Sequence, residues 1–213
     1  MLVALASRML TAQQSLQRLI DGNARFVAGT SQRGSFSTSA RRLEIANRQD
    51  PFAVILGCSD SRVPAEIIFD KGLGDLFVIR VAGNIVAPSQ VASVEFAVEV
   101  FGTRLVVVLG HTNCGAVNAA VDTLTDPERN SPPNLGSIVD RVADAIAPMV
   151  GSGEGRSRAE LIAAGGRANV CHSARHLRTA SPILARLIEE DGLMVVGAEY
   201  SLDSGVVDFF DGA

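Results

Sequence analysis

Four short apolar runs, rich in β-branched residues, constrain this chain more than anything else in it: Phe52–Leu56 (FAVIL), Leu76–Ile79 (LFVI), Leu105–Leu109 (LVVVL) and Leu193–Val196 (LMVV). Each is short for a helix, and no polar residue alternates through it, so each reads as a strand buried on both faces. Between them lie stretches with helical spacing, at Ser89–Val100, Ala116–Leu124, Leu135–Val150, about Arg158–Arg178 and Pro182–Glu190. Strands alternating with helices predict an α/β fold: a central, mostly parallel β-sheet flanked by helices and built with right-handed crossovers. Upstream, Leu16, Leu19, Ile20, Phe26 and Val27 recur at helical spacing, which predicts a helix over Thr11–Val27 with Thr11 as its N-cap and Gly29 as its stop. A loop over Gly29–Ser39 and a short helix at Ala40–Arg48, broken by Pro51, lead into the first strand.

The chain reads as one domain over residues 1–213, with a helical arm at 1–50 and an α/β core at 51–213. No internal repeat or shift in composition divides it, and Gly151–Ser157 (GSGEGRS) reads as a loop inside that domain. With 47% hydrophobic and 20% charged residues, disorder is excluded. A net charge of -4 leaves no basic excess for nucleic acid, and no apolar stretch approaches the ~20 residues that span a bilayer. The short apolar run in Met1–Leu10 lacks a clear cleavage site and reads as mature protein, the alternatives being a start at Met9 or a trimmed export signal. Three cysteines, Cys58, Cys114 and Cys171, make a poor disulfide framework and suit a reducing compartment, so the cytoplasm is the expected location.

Two of the strands end alike. FAVILG runs into Cys58-Ser59-Asp60-Ser61-Arg62, and LVVVLG runs into His111-Thr112-Asn113-Cys114-Gly115. Ligands of parallel α/β sheets collect at the carboxyl ends of strands, so both clusters fall on the functional edge. Cys58, His111 and Cys114 are donors that zinc favours, and three protein ligands leave one tetrahedral position open, as catalytic sites do. A helix starting beside Cys114 would favour its thiolate through free N–H groups. Asp60 is the natural occupant or gatekeeper of the open position, and Arg62 can hold its carboxylate by two hydrogen bonds. Two thiolates cancel the charge of a zinc ion, so a bound water is acidified less than by three imidazoles, and an ionised carboxylate would compensate.

With those residues stated, the sequence resembles the β-class carbonic anhydrases. The resemblance runs from about Thr11 to Val207 and includes Val63–Asn84 (VPAEIIFDKGLGDLFVIRVAGN) and Gly197–Gly205 (GAEYSLDSG). It implies one Zn2+ per subunit on Cys58, His111 and Cys114, with Asp60 and Arg62 as the dyad; in a closed form Asp60 itself ligates the metal. It also implies reversible hydration of CO2 to bicarbonate and a proton by a zinc-activated hydroxide, in a homodimer or a multiple of it. In such a dimer the N-terminal helix packs on the partner. Gln49 matches a glutamine that hydrogen-bonds substrate, Phe77 matches a pocket aromatic, and Phe96 stands where several members carry tyrosine. Backbone N–H groups near Gly115 would meet the charge developing on substrate. Some bacterial members bind a second bicarbonate that locks the closed form, through a tryptophan, an arginine and a tyrosine. Arg80 and Tyr200 match two of these, but Ile55 fills the third and the chain has no tryptophan. The lock is therefore expected to be absent or weak, with pH acting through Asp60 as the switch.

Other features carry less. His172 and His176 qualify as proton carriers by chemistry alone, and an exposed or partner-packed role is expected. Cys171 reads as a buried helix thiol, and Asp203 and Asp208 as solvated or capping groups. Gly72, Gly74 and Gly83 punctuate turns without forming a phosphate loop. Three alternatives stand beside the main reading: a hydrolase of carbonyl sulfide or carbon disulfide on the same site, a non-catalytic zinc protein, and a thiol redox protein. The last lacks a close cysteine pair.

Overall fold

The computed structural model describes residues 10–32, 38–126, 132, 134–151 and 155–213. Five strands form one sheet in the order β2-β1-β3-β4-β5. They are β1 (Ala53–Gly57), β2 (Leu76–Arg80), β3 (Leu105–His111), β4 (Met194–Tyr200) and β5 (Val207–Asp211). The first four are mutually parallel, and β5 returns antiparallel to β4. The helices are α1 (Ala12–Val27), α2 (Ser39–Ile45), α3 (Ala65–Ile68), α4 (Pro88–Val100), α5 (Gly115–Thr125), α6 (Gly136–Gly151), α7 (Arg158–Thr179) and α8 (Pro182–Glu190), with one 3-10 turn at Ala82–Asn84.

Alternation along β1 separates two cores. Val54 and Leu56 pack with Val94 and Ala97 of α4, Leu177 of α7 and Leu184 of α8. Ala53 and Ile55 pack on the other face with Leu16 and Leu19 of α1 and Ile68 of α3. Every residue of β1 and β3 is buried, which explains their unbroken apolar sequence. Burying each Leu, Ile or Val in these strands stabilises the fold by about 1.5–3 kcal/mol. A third core, of Val117 and Val121 (α5), Val142 and Ile146 (α6) and Leu161 (α7), includes Cys58 and Cys114.

The predicted first helix carries a capping box: the Thr11 hydroxyl accepts from the Gln14 amide at 3.2 Å, and the Gln14 side chain accepts from the Thr11 amide at 2.9 Å. Gly22 lets α1 approach α3, since a Cβ there would stand 1.9 Å from the carbonyl oxygen of Phe69. Buried Asn23 ties α1 to the end of the chain, donating to the carbonyls of Ile68 and Gly205 and accepting from the Val207 amide.

Several elements differ from expectation. β5 escapes a search for apolar runs because Asp208 and Asp211 interrupt it and it pairs on one side only. β4 runs on to Tyr200 through Gly197 and Glu199, beyond the predicted Val196. α3 and the turn at Ala82–Asn84 are too short to show periodicity, and the predicted helix at Ala40–Arg48 is Ser39–Ile45. The expected loops at Gly29–Ser39 and Gly151–Ser157, and the run before Leu10, fall partly or wholly outside the described residues. Among the described residues no helix is long and apolar enough to cross a membrane.

The topology fixes where a ligand belongs. After β1 the chain crosses to β2 on one side, and after β3 it crosses to β4 on the other. The crevice between the carboxyl ends of β1 and β3 is therefore the topological switch point.

Candidate metal centre

Both clusters open into that crevice. Gly57 pairs with Leu109, so the residues following β1 and β3 are neighbours. The turn after His111 passes through Asn113 at φ 54° and leaves Cys114 as the N-cap of α5. It is anchored to β4 by the Thr112 amide on the Tyr200 carbonyl at 3.0 Å and the Leu202 amide on the Thr112 hydroxyl at 3.0 Å.

Cys58 Sγ and Cys114 Sγ lie 4.0 Å apart, and the ligand atoms of Cys58, His111 and Cys114 all fall within 4.8 Å of one another. Among the described residues this is the one group of three or more such donors that comes together. All three are buried. Nδ1 of His111 lies 2.9 Å from the Thr112 carbonyl, a geometry that puts the proton on Nδ1 and the lone pair on Nε2. Nε2 itself is buried and has no hydrogen-bond partner among the described residues. A buried acceptor left unmatched beside two thiols is costly unless something satisfies it. A tetrahedral metal ion fits that need, and the donor set is one that zinc prefers.

The charges agree. A hydrogen bond from Cys114 draws the Cys58 thiol down to about 4 against the opposing effect of burial, helped by His111 and by the Gly83 amide, 3.4 Å from the sulfur. The same bond, with burial, pushes Cys114 up, although the amides of Val117 and Ala116 pull it down. Without a metal the pair thus keeps one proton between two sulfurs. Burial pushes His111 down, but the neighbouring Cys58 sulfur and its charge outweigh it and the net shift is upward.

Asp60 accepts a fork from Arg62, Nε to Oδ1 at 2.9 Å and Nη2 to Oδ2 at 2.7 Å, and the Arg62 amide adds a third bond at 2.9 Å. The guanidinium beside it holds the Asp60 carboxyl well below the usual carboxylate range. Arg80 fixes the backbone of this turn, donating from Nε to the Cys58 carbonyl at 3.0 Å and from Nη2 to the Asp60 carbonyl at 2.6 Å.

Cys58, Asp60, Arg62, His111 and Cys114 therefore meet. Gly115 opens α5, with nothing within 4 Å of where a side chain would begin. Phe77 and Phe96 instead gather with Phe101 between β2 and α4, at ring separations of 5.5 to 6.2 Å, and Phe96 is half exposed. Gln49 is exposed in the segment between α2 and β1. A cavity of about 640 Å³ adjoins the centre, lined by His111, Asn113, Cys114, Asn118, Arg167 and Glu199 among others. Sequence reasoning missed Glu199 and Arg167. A charged residue inside a strand otherwise apolar was the available signal for Glu199. Burial pushes its carboxyl up, and Arg167 bridges it at 3.6 Å and Asp208 at 2.8 Å. His172 and His176 line a different cavity of about 350 Å³, with Asp140 and Asp144. Cys171 is half-buried in α7, where burial pushes its thiol up.

The family model described as "Carbonic anhydrase" matches residues 53–207. The chain is 42% identical over 189 residues to carbonic anhydrase 2 of Mycobacterium tuberculosis, covering 88% of this chain and 87% of that one. The fold superposes on the β-carbonic anhydrase CafA of Aspergillus fumigatus with a TM-score of 0.74 at 28% identity, covering 90% of this chain and 88% of the other. It superposes on a tetrameric β-carbonic anhydrase of Sordaria macrospora with a TM-score of 0.71 at 26% identity, covering 79% and 84%. With the switch-point location and the Cys-His-Cys geometry, these matches place the chain in the β-carbonic anhydrase family.

Proposed function

We propose that this chain catalyses the zinc-dependent, reversible hydration of CO2 to bicarbonate and a proton. The observation that carries the reading is the buried Cys58–His111–Cys114 group, with an unmatched imidazole nitrogen, beside a carboxylate held by Arg62. Cys58 and Cys114 would bind through sulfur and His111 through Nε2. Zinc, when bound, supplies the positive charge that acidifies a water and so yields hydroxide near neutral pH.

The chain's own residues do the rest. Asp60, kept ionised by Arg62, accepts a hydrogen bond from the attacking oxygen and turns its free pair toward CO2. Arg80, by gripping the carbonyls on either side of Ser59, keeps Asp60 at that position. The amides that begin α5 at Gly115 face charge developing on substrate. A non-catalytic zinc protein would have no use for Arg62 as a holder of Asp60.

The expected assembly is a homodimer or a multiple of it. β2 is an edge strand, and Phe96 and Val100 on adjoining α4 are 50% and 59% exposed, an apolar surface that a second copy would cover. The three free thiols suit a reducing compartment, which supports the cytoplasm. Stopped-flow assays of the zinc-loaded protein with CO2, carbonyl sulfide and carbon disulfide test the reaction. Fast CO2 hydration supports it, and slow hydration beside fast sulfide release would replace it with the sulfur-substrate hydrolase.

A further inference from the structure

Asn169 lies in the middle of α7 and is 1% exposed, among residues that build the apolar core. An amide side chain is costly there: it is a weak helix former, and burial strips it of water. Its Oδ1 finds no hydrogen-bond partner among the described residues, so the side chain is matched through its donor alone. That donor, Nδ2, bonds to the carbonyl of Gly83 at 2.8 Å.

Gly83 connects this bond to the metal ligands. Its amide donates to Cys58 Sγ at 3.4 Å. Its φ of 71° lies in the left-handed region, and a Cβ there would stand 2.9 Å from the side chain of Ala116 and 3.1 Å from Val142. The next residue, Asn84, also has a positive φ, of 42°. For Asn84, which is not a glycine, that conformation persists only where its surroundings enforce it. Asn169 holds the carbonyl side of Gly83, which leaves the amide side aimed at the sulfur.

We infer that Asn169 is a positioning residue of the metal centre, setting the Gly83 amide on the Cys58 sulfur from a helix far away in sequence. The inference rests on the reading of Cys58, His111 and Cys114 as a metal site. Its consequence is electronic. An N–H bond to a ligating thiolate draws density from sulfur, so the ion keeps more positive charge for its open position. In a site where two thiolates already neutralise the ion, that charge matters to the water it acidifies.

Cobalt(II)-substituted protein provides the test, read by the thiolate-to-cobalt charge-transfer band and by chelator competition for the metal. Asn169→Leu removes the donor at similar volume, and Asn169→Asp keeps the shape without the N–H, so either serves if the other fails to fold. Both are expected to move the band to lower energy and to weaken metal binding by about 10–100-fold. Leu177→Ala, at a fully buried position of the same helix, is expected to lower thermal stability with band and affinity unchanged. Unshifted band and affinity in the Asn169 variants, or an equal shift in Leu177→Ala, would overturn the positioning role while leaving the metal site intact. Absence of any thiolate band in the unsubstituted sequence would instead overturn the metal reading, and the inference with it.

Discussion

Oδ2 of Asp60 is bound at 2.7 Å by Nη2 of Arg62 and stands 3.9 Å from Nε2 of His111, so the carboxylate that Arg62 holds lies beside the nitrogen that would bind the metal. As long as Arg62 holds it, the fourth position of a tetrahedral ion on Cys58, His111 and Cys114 is free for water. Arg62→Ala should release Asp60 onto the metal. The variant is expected to retain stoichiometric zinc by elemental analysis while CO2 hydration falls about 10–100-fold. Unchanged turnover would show that Arg62 does not govern Asp60.

Metal loading should release protons in a pH-dependent way. At pH 7 Cys58 is drawn down and Cys114 pushed up from the ordinary 9.0, so the two sulfurs hold one proton between them. Zinc must displace it, so the sulfurs release about one proton at pH 7, to which are added the fraction carried by His111 and the ionised fraction of the water that zinc acidifies. His111 is raised above 6.5, so its share grows as pH falls and zinc affinity drops more steeply in acid. Calorimetry in buffers of different ionisation enthalpy measures the count, and no release at pH 7 contradicts it. Asp60 adds no proton in that range. Its value is depressed below 3.8, so the stability it contributes is complete above that pH and is lost only as pH falls further.

Bicarbonate should not lock this protein closed. Arg80 is committed to the carbonyls of Cys58 and Asp60, Ile55 is fully buried in the core, and Tyr200 is buried on β4. Initial rates at rising bicarbonate are expected to show no cooperative inhibition. A crystal grown at high bicarbonate with the ion bound at Arg80 and Tyr200 would refute this.

The apolar face of α4 predicts assembly. Val100→Glu places a charge on a residue 59% exposed in the single chain, where an isolated monomer would tolerate it. Sedimentation velocity is expected to show a dimer or larger for the unsubstituted chain and a shift toward monomer for the variant. The same species for both would remove α4 from the interface.

The strands and the centre were legible in the sequence for one reason: burial on both faces leaves unbroken apolar runs, and the chemistry follows directly on two of them. Cys58 and His111 needed only the rule that ligands gather at strand ends. Asn169 was not legible, because its partner Gly83 is 86 residues away and a polar residue on a long helix carries no mark of the turn it holds. β5 was missed because an interrupted strand paired on one side loses the pattern that identifies a central one, and Glu199 because it lies beyond the apolar run that marks β4. The aromatic group of Phe77, Phe96 and Phe101 depends on which faces of β2 and α4 meet, and spacing along the chain does not report that.

The coordination of zinc in crystals of the loaded protein, grown at alkaline and at mildly acidic pH, decides whether Arg62 keeps Asp60 off the metal. At alkaline pH zinc is expected on Cys58 Sγ, His111 Nε2 and Cys114 Sγ, with a non-protein oxygen as the fourth ligand and Asp60 still in the fork of Arg62. An Asp60 oxygen on the metal at both pH values, with Arg62 turned away, would contradict it.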